Sequence, residues 1–432
     1  MQRFLVIGAG GREHALCWRL AQEVGKENVY ACPGNDGMAD VAQLVQLDIY
    51  NYAELAAFIK KRAIQYVVVG PEEPLVRGWR DEMEKYLGDW DGGIIGPSAT
   101  ASLLEGSKAW GRAFCLRHHI PIPAYKIFHI EQYEDIMKFL ENNAAPYVIK
   151  ADGLAAGKGV VISQTLEEAK EHVNRIAKNR IYGKAGEKLV IEQFLKGVEV
   201  SFFIVTDGKS YVLLPEAKDY KRVYDHDVGP NTGGMGAISP VPFVDEALKQ
   251  KICKRIIEPT LEGLRKEQIA YQGFLFFGLM IVQGDPYLIE YNVRLGDPET
   301  QSILPRIKSS FVELIERVAR GALHEYKVEI APSYVATVIL ASKGYPDKHE
   351  VGFPIIIHQK VNEEKIHWFY AGVKQKGSEL LTSGGRVLAV VGEGHTLQEA
   401  LHLAYQQASF IHFEGVHYRK DIGKDVENLN LQ

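Results

Sequence analysis

The chain has 432 residues, of which 46% are hydrophobic and 24% charged, and its formal net charge is −5. This composition is typical of a globular protein of about three domains. The small negative charge gives no general electrostatic reason for binding nucleic acid or an anionic membrane. The four cysteines lie far apart without zinc-site spacing, and the longest apolar run, residues 274–282, is too short to span a bilayer. A cytoplasmic enzyme is therefore expected.

Residues 1–104 are predicted to form a doubly wound parallel α/β domain, because short apolar strands alternate with amphipathic helices. The predicted strands cover residues 4–7, 29–32, 66–69 and 93–95, and the predicted helices cover residues 13–22, 52–61 and 75–86. Ligands of such sheets bind at the carboxyl ends of the strands.

The remainder is predicted to contain a central region, residues 105–330, and a smaller α/β region, residues 331–432. The central region begins with a helix over residues 105–118, and its small section near residues 121–196 has two strands around a glycine-rich turn and a helix over residues 166–177. Later strands are predicted over residues 198–206, 274–282, 287–293, 334–341 and 386–391, and a last helix over residues 397–408. Residues after Ile422 are expected to be poorly ordered.

A glycine turn, GAGGRE at residues 8–13, follows the first predicted strand. Backbone N–H groups of such a turn and the N-terminus of the next helix can approach a phosphate. The dinucleotide motif GxGxxG would need glycine where Glu13 stands, and the second strand ends without the acid that holds a ribose. A monophosphate is expected rather than NAD, and a tight turn without a ligand is the alternative.

A second glycine-rich segment, KADGLAAGKGV at residues 150–160, is predicted to be a flexible turn. Its small side chains leave room for a polyphosphate, and the flanking lysines supply positive charge. It is not a Walker A loop, because that motif needs Ser or Thr where Gly159 stands. A solvated hairpin with incidental lysines is the alternative.

The strand LIEYNVR, residues 288–294, places Glu290, Asn292 and Arg294 on one face, while positions 289, 291 and 293 face the core. Two oxygen ligands two residues apart suit Mg²⁺, which also takes phosphate oxygens. An arginine beside them can stabilise charge on a transferring phosphoryl group. The alternative is an exposed polar sheet face. A further loop, GPNTGGMG at residues 229–236, presents backbone amides and two polar side chains.

Together these segments resemble the glycinamide ribonucleotide synthetase (phosphoribosylamine–glycine ligase) family of the ATP-grasp superfamily. The resemblance runs through the whole chain in the order VIGAGGREHAL, PGNDG, VVGPEEPLV, EGSKAW, VIKADGLAAGKGV, DHDVGPNTGGMGA, EYNVRLGDPETQ, GGRVLAV and YRKDIG. It implies an N-terminal domain (1–104), an ATP-grasp domain (105–330) with a mobile lid (about 121–196) and a C-terminal domain (331–432).

The resemblance also implies a function. Glycine would be joined to 5-phosphoribosylamine through a glycyl phosphate intermediate in purine biosynthesis, with ATP as a substrate and Mg²⁺ or Mn²⁺ as metal. The enzyme would be a cytoplasmic monomer that acts on small molecules, without nucleic acid or membrane partners. Another ATP-grasp ligase or carboxylase is the nearest alternative. A dehydrogenase is disfavoured by the first glycine turn, and a non-catalytic nucleotide-binding regulator is a further possibility.

The site residues implied by the resemblance fall into four groups. The metal ligands would be Glu290 and Asn292, and the catalytic residues Arg294 and Lys158. The ATP-binding residues would be Lys108 and Lys150 at the phosphates, Gly153, Gly157 and Gly159 in the lid loop, Glu192, Gln193 and Leu195 at the adenine, and Glu199 at the ribose hydroxyls. The substrate-binding residues would be Gly10, Gly11 and Asn35 at the phosphate of the amine substrate, Glu72 at its ribose, and Asn231, Thr232, Gly233 and Gly234 around the transferred phosphoryl group and glycine. The strand over residues 274–282 lacks the further acidic metal ligand of many ATP-grasp enzymes.

Overall fold

A computed structural model describes residues 2–155, 159–361 and 364–426. The N-terminal part is a five-stranded parallel sheet in the order β3-β2-β1-β4-β5. Its elements are β1 (Phe4–Gly8), α1 (Gly11–Val24), β2 (Val29–Pro33), β3 (Gln43–Leu44), α2 (Tyr52–Lys61), β4 (Tyr66–Val69), α3 (Glu72–Val76), α4 (Trp79–Leu87) and β5 (Gly93–Ile95). Apolar β1 and β4 are buried along their whole length, as expected for strands covered on both faces.

Two predicted helices are each divided in the structure. The predicted helix over residues 75–86 is α3 and α4, separated by Gly78 in a left-handed conformation. The predicted helix over residues 105–118 is also wrong, because α5 (Ala99–Gly106) ends where α6 (Lys108–Arg117) begins. The Ser107 hydroxyl accepts a hydrogen bond from the Trp110 N–H and caps α6. The break places Lys108 at the start of a helix.

A small section follows α6 and has its own hydrophobic core. It contains β6 (Tyr125–His129), α7 (Tyr133–Glu141), β7 (Tyr147–Ala151), β8 (Val160–Ser163), α8 (Leu166–Ala177) and β9 (Lys188–Gln193). The strands form an antiparallel sheet in the order β6-β9-β7-β8. Ile136 of α7 and Val173 of α8 pack against Ile149 of the sheet. The core explains why this section holds together apart from the larger sheets.

The central sheet has the order β11-β10-β16-β17. Its region contains β10 (Val198–Thr206), β11 (Tyr211–Leu213), β12 (Lys218–Asp219), β13 (Arg222–Tyr224), β14 (Val228–Asn231), β15 (Gly236–Ser239), α9 (Glu246–Ile252), α10 (Glu258–Lys266), β16 (Gly273–Val282), β17 (Asp285–Asn292), α11 (Glu299–Ile303) and α12 (Phe311–Arg320). A short π-helix, Cys253–Ile257, joins α9 to α10. Strands β13 and β14 form a hairpin.

The last elements are β18 (Tyr334–Ala341), β19 (Ile356–Ile357), β20 (Ile366–Tyr370), β21 (Val373–Lys376), β22 (Glu379–Thr382), β23 (Arg386–Gly394), α13 (Leu397–Ser409) and β24 (Ile411–His412). One sheet, in the order β12-β15-β18-β23-β20, joins strands from both sides of position 330. Within the described ranges, no helix is both long and apolar enough to cross a membrane.

The expectation of a poorly ordered tail after Ile422 is wrong for residues 423–426. The Asp425 carboxylate accepts a hydrogen bond from the Tyr220 hydroxyl at 2.6 Å and pairs with the Lys218 ammonium at 2.9 Å. Val426 is buried against the core of the last sheet. Residues 427–432 lie outside the described residues.

Candidate active site

A buried ion-pair network joins the small section to the central sheet. The Lys150 ammonium lies 2.8 Å from Glu192 Oε2, and Arg112 Nε lies 2.6 Å from Glu192 Oε1. Both cations also donate to the Ile289 carbonyl, at 3.0 and 2.5 Å. Burial would raise the pKa of Glu192, but the two cations lower it. The network therefore holds the predicted residues Lys150 and Glu192 against β17.

The second predicted phosphate lysine, Lys108, lies beside the glycine-rich segment. Its ammonium donates to the Gly153 carbonyl at 3.2 Å, and Asp152 accepts hydrogen bonds from the Ser107 hydroxyl and the Ala109 N–H. Burial lowers the pKa of Lys108, although the surrounding carboxylates, Glu290 most of all, raise it. An anionic ligand would stabilise the ammonium form that burial disfavours.

Only the two ends of the glycine-rich segment are described. The Ala151 N–H donates to the Gly159 carbonyl at 2.8 Å, which closes the base of the turn. Gly157 and Lys158 lie outside the described residues, so their predicted roles stay predictions.

The predicted ribose acceptor and the predicted metal ligand meet at a lysine. The Lys221 ammonium lies 3.0 Å from Glu199 Oε2 and 3.2 Å from Glu290 Oε1. The sequence reasoning missed Lys221. Its only signal was the charged tract KDYKR at residues 218–222, which directly precedes the hairpin.

The face of β17 that is predicted to bind a metal agrees with the structure at residues 290–293 but not at residues 288 and 289. A β-bulge opposite Gly278 and Leu279 makes Ile289 an extra residue, so Leu288 is fully buried and Ile289 only half-buried. The prediction that position 289 faces the core is therefore wrong, whereas Tyr291 and Val293 are buried as predicted. The bulge also directs the Ile289 carbonyl to Lys150 and Arg112.

The missing side chain of Gly278 makes room for Glu290. Gly278 pairs with Glu290 across the two strands, and a Cβ atom at Gly278 would lie 2.7 Å from Glu290 Cγ. We expect Gly278→Ala to lower the free energy of unfolding by about 1–3 kcal/mol, as overpacking does elsewhere. Chemical denaturation measures this change. In a Glu290→Ala background the same substitution should cost much less, and an equal cost there would contradict the steric explanation.

A buried carboxylate, Glu105, organises the end of β17. It accepts hydrogen bonds from the Asn292 side-chain amide at 3.0 Å and the Val293 N–H at 2.7 Å. It also pairs with Arg294 at 3.2 Å. Burial raises the pKa of Glu105 to about 7, against the lowering effect of Arg294. The sequence reasoning missed Glu105, although it begins the EGSKAW segment.

Arg294 links the predicted ribose residue Glu72 to this carboxylate. Arg294 Nε lies 3.2 Å from Glu72 Oε2. Burial alone would raise the pKa of Glu72, but Arg294 and Arg12 lower it to about 2. The structure thus brings together a residue predicted to be catalytic and a residue predicted to bind the amine substrate.

The described residues fit a site for a divalent cation that uses few protein oxygens. The Asn292 amide nitrogen donates to Glu105 and to the Tyr291 carbonyl, which orients Oδ1 away from those acceptors. Burial would raise the pKa of Glu290, but Lys221 and other lysines lower it to about 2 and keep it ionised. In the described part of the chain, no group of three or more His, Cys, Asp and Glu is arranged to hold a metal. Two protein oxygens completed by phosphate oxygens suit Mg²⁺.

An acidic pair, Asp219 and Glu299, lies next to the loop over residues 231–234. Burial raises the pKa of both carboxyls, and their mutual repulsion raises that of Asp219 further. Asp219 Oδ1 is buried and has no hydrogen-bond partner among the described residues. A Cβ atom at Gly234 would lie 2.7 Å from this oxygen, so the close approach requires glycine. Neither acid was predicted from the sequence.

The loop over residues 231–234 is held from both sides. The Thr232 hydroxyl donates to the Lys221 carbonyl at 2.8 Å and accepts from the Gly234 N–H at 2.9 Å. Arg386 donates to the Gly233 carbonyl and lies 2.7 Å from Asp297 Oδ2. Asn231 ends β14.

The first glycine turn lies near the same Asp297. Cβ atoms at Gly10 and Gly11 would lie 3.5 and 3.8 Å from the Asp297 carboxylate oxygens. The Gly10 N–H donates to Glu13 Oε2 at 2.6 Å, so Glu13 shapes the turn. Asp297 and Arg386, both missed from the sequence, therefore lie between the two predicted substrate loops.

Among the predicted residues, Asn35 lies just after β2, and Gln193 and Leu195 lie at and just after the end of β9. The Asn35 amide donates to the Ala9 and Tyr370 carbonyls, and its Oδ1 accepts from the Gly37 N–H. Its side chain thus positions the turn, and its predicted contact with the substrate phosphate stays a prediction. Gln193 is exposed at the end of β9, and Leu195 is half-buried two residues later. Their predicted contact with adenine stays a prediction.

Three family models match this chain in succession. They are the phosphoribosylglycinamide synthetase N domain over residues 2–105, its ATP-grasp (A) domain over residues 106–300 and its C domain over residues 335–425. The chain belongs to the phosphoribosylglycinamide synthetase family. The ATP-grasp fold class and the family resemblance predicted from the sequence are confirmed.

Curated relatives of this family are similar along their whole length. A phosphoribosylamine–glycine ligase of Agrobacterium fabrum is 44% identical over 98% of both chains. That of Caldanaerobacter subterraneus is 41% identical over 97% of this chain and 99% of the relative.

Solved structures agree with this assignment. A phosphoribosylamine–glycine ligase from Thermotoga maritima has 36% identity and a TM-score of 0.83, over 97% of this chain and 99% of that one. A biotin carboxylase domain from Hydrogenobacter thermophilus, in complex with MgADP, has 14% identity and a TM-score of 0.71, over 97% and 92%. The second similarity shows the shared fold alone.

Proposed function

We propose that this protein joins glycine to 5-phosphoribosylamine with ATP, giving glycinamide ribonucleotide, ADP and phosphate in purine biosynthesis. The observation that carries the proposal is the family match along the whole chain, with relatives named phosphoribosylamine–glycine ligase. The geometry supports it, because lysines, a metal-type face, an acidic pair and two glycine loops converge around Glu290 and Asp297.

The proposed domains follow the sequence reasoning: residues 1–104, 105–330 with a lid near 121–196, and 331–432. The lid would carry Lys150 and Glu192, and the N-terminal domain would carry Gly10, Gly11 and Glu72. The sheet shared across position 330 supports a fixed arrangement of the last two domains.

The proposed chemistry has two steps. A glycine carboxylate oxygen attacks the γ-phosphorus of ATP, and the bond from that phosphorus to the ADP oxygen breaks. The amine nitrogen then attacks the carbonyl carbon of glycyl phosphate, loses a proton, and phosphate leaves with the bridging oxygen. No enzyme nucleophile is needed, so catalysis consists of positioning and charge neutralisation.

Each cluster has a role in these steps. Lys108 and Lys150 bind ATP phosphates, Gly153, Gly157 and Gly159 are assigned to ATP binding as predicted from the sequence, and Glu199 binds the ribose. Glu290 and Asn292 hold Mg²⁺ or Mn²⁺, which when bound neutralises phosphate charge. Arg294 and Lys158 stabilise charge on the transferring phosphoryl group.

The two substrates are assigned to neighbouring surfaces. The N-terminus of α1, which begins at Gly11 next to Gly10, binds the phosphate of the amine substrate, and Glu72 binds its ribose. The ammonium group of glycine fits the acidic pair Asp219 and Glu299, beside the loop of residues 231–234. The unpartnered Asp219 oxygen supports this, because a buried acceptor without a donor is costly.

The proposed enzyme is a cytoplasmic monomer. Cys17, Cys32 and Cys115 are free and buried, which supports a reducing compartment. Sedimentation of the purified protein tests the monomeric state, since a concentration-dependent dimer would contradict it.

Isotope transfer tests the proposed reaction. We expect ADP release only when glycine and phosphoribosylamine are supplied together, because the acyl phosphate is consumed by the amine. Glycine labelled with heavy oxygen in its carboxylate should pass a label to inorganic phosphate at each turnover, as mass spectrometry can measure. A control reaction in heavy-oxygen water with unlabelled glycine should give unlabelled phosphate. Unlabelled phosphate from labelled glycine would rule out the acyl-phosphate path.

A further inference from the structure

The segment over residues 417–425, here called the C-terminal clasp, contains the YRKDIG sequence but has no role in the proposed chemistry. It lies against the β13–β14 hairpin, which leads directly into the loop over residues 231–234. The His417 ring bonds to the Val223 carbonyl at 2.8 Å, and the Lys420 N–H donates to the Asp225 carboxylate at 2.8 Å. The clasp thus contacts the hairpin by side chains and backbone.

Arg419 is the centre of these contacts. Its guanidinium group is 1% exposed and binds both oxygens of Asp421, each at 2.8 Å. The remaining nitrogen contacts Asp227 Oδ1 at 2.7 Å and the Arg222 carbonyl at 3.2 Å. A planar group with several fixed donors suits this arrangement, whereas a lysine has a single charged nitrogen. Arg419 therefore ties the first strand of the hairpin and its turn to the clasp.

The end of the hairpin needs such support. His226 and Asp227 have φ angles of 60° and 53°, in the left-handed region that residues other than glycine seldom adopt. The His226 N–H donates to Asp421 Oδ2 at 2.8 Å, and Asp227 pairs with Arg419. Unfavourable backbone conformations persist where the surrounding contacts hold them. The clasp supplies those contacts.

The base of the hairpin connects the clasp to the acidic pair and to Lys221. Tyr220 bonds to Asp425 of the clasp, and the Arg419 guanidinium lies 5.3 Å from its ring. The neighbouring side chain, Lys221, contacts Glu199 and Glu290. Across the hairpin, Thr232 N–H donates to the Lys221 carbonyl at 2.7 Å and Met235 N–H to the Tyr220 carbonyl at 2.8 Å. Movement of the hairpin would therefore move Lys221 and the loop over residues 231–234, which borders Asp219.

We propose that Arg419 is a positioning residue for glycine: its guanidinium group holds the β13–β14 hairpin so that Lys221 and residues 231–234 face the substrate beside Asp219. This inference rests on the proposed function for its kinetic consequence. Its structural consequence, order in the hairpin, does not depend on which substrate binds. Lys221 connects the hairpin to Glu199, which is assigned to ATP, but the ATP-binding residues on β7 and β9 lie on other elements. KM for glycine should therefore change more than KM for ATP.

Steady-state kinetics and hydrogen exchange of full-length variants test the inference. Arg419→Lys should raise KM for glycine by about tenfold or more while leaving KM for ATP within about twofold. Asp227→Asn is a milder variant, because its carboxylate is 61% exposed and Asn tolerates the left-handed backbone. It should also raise KM for glycine, but by less than Arg419→Lys. Asp347→Asn, an exposed aspartate of the C-terminal region, makes the same charge change and should alter neither constant.

Hydrogen exchange separates this inference from the proposed function. In Asp227→Asn, the amides of Thr232 and Met235 should exchange faster than in the unsubstituted protein, at an unchanged melting temperature. Faster exchange supports the inference that the clasp orders the hairpin. If no glycine-dependent ADP release is found as well, only the proposed function is rejected. Unchanged exchange at both amides would overturn the inference. An equal rise in KM for ATP and glycine would also overturn it.

Discussion

Replacing Glu290 by glutamine is expected to lower turnover by about 10³-fold, because loss of a charged metal ligand removes several kcal/mol of charge stabilisation. The carboxylate is ionised at neutral pH. Its lowered pKa means that its stabilising contribution is present above the ordinary value of 4.5 and is lost only as the pH falls towards 2. Glutamine has the same shape, and Lys221 keeps its contact with Glu199. We therefore expect a folded but nearly inactive protein.

Titration with Mg²⁺ and thermal unfolding measure this effect. The matched control is Glu199→Gln, which makes the same isosteric change at the other partner of Lys221. The control should mainly raise KM for ATP, because Glu199 is assigned to the ribose. Near-normal turnover of Glu290→Gln at saturating Mg²⁺, with an unchanged melting temperature, would refute the assignment of Glu290 as a metal ligand.

Local sequence patterns predicted most of the fold. The helix over Tyr52–Lys61 and the strand over Tyr66–Val69 lie where periodicity placed them, because their side-chain pattern matches the burial each element requires. Periodicity gave a wrong prediction where a helical pattern continues past a residue that caps a new helix. Residues 105–118 have a helical pattern throughout, yet the Ser107 side chain caps a new helix inside it.

The candidate site was predictable where motifs are local and not where residues pair over long distances. Lys150 and Glu192 were recognised in their own segments, but the partner that joins them to β17 is Arg112, on a helix distant in the sequence. Likewise, Lys221 bridges Glu199 and Glu290 from a charged tract without a motif. Strand alternation also could not predict the bulge at Ile289, since one extra residue reverses the side chains before it.

Replacing Asp219 by asparagine is expected to raise KM for glycine by about 10²-fold, because truncating one partner of a buried charged contact costs several kcal/mol. The unpartnered Asp219 oxygen, which lies beside Gly234, is where we propose that the glycine ammonium group binds. Burial raises the pKa of Asp219, and Glu299 raises it further. A bound ammonium group favours the ionised carboxylate, so glycine should release protons as it binds.

Calorimetry of glycine binding in buffers of different ionisation enthalpy measures this proton release. In Asp219→Asn the release should decrease, since one of the two carboxyls no longer titrates, while KM for ATP changes little. Asp207→Asn is a matched control, because Asp207 lies in the turn between β10 and β11, where it accepts hydrogen bonds from Lys209, Ser210 and Leu323 N–H groups. It should leave proton release and KM for glycine unchanged. If Asp219→Asn released as many protons as the unsubstituted protein, the acidic pair would not be the site of the glycine ammonium group.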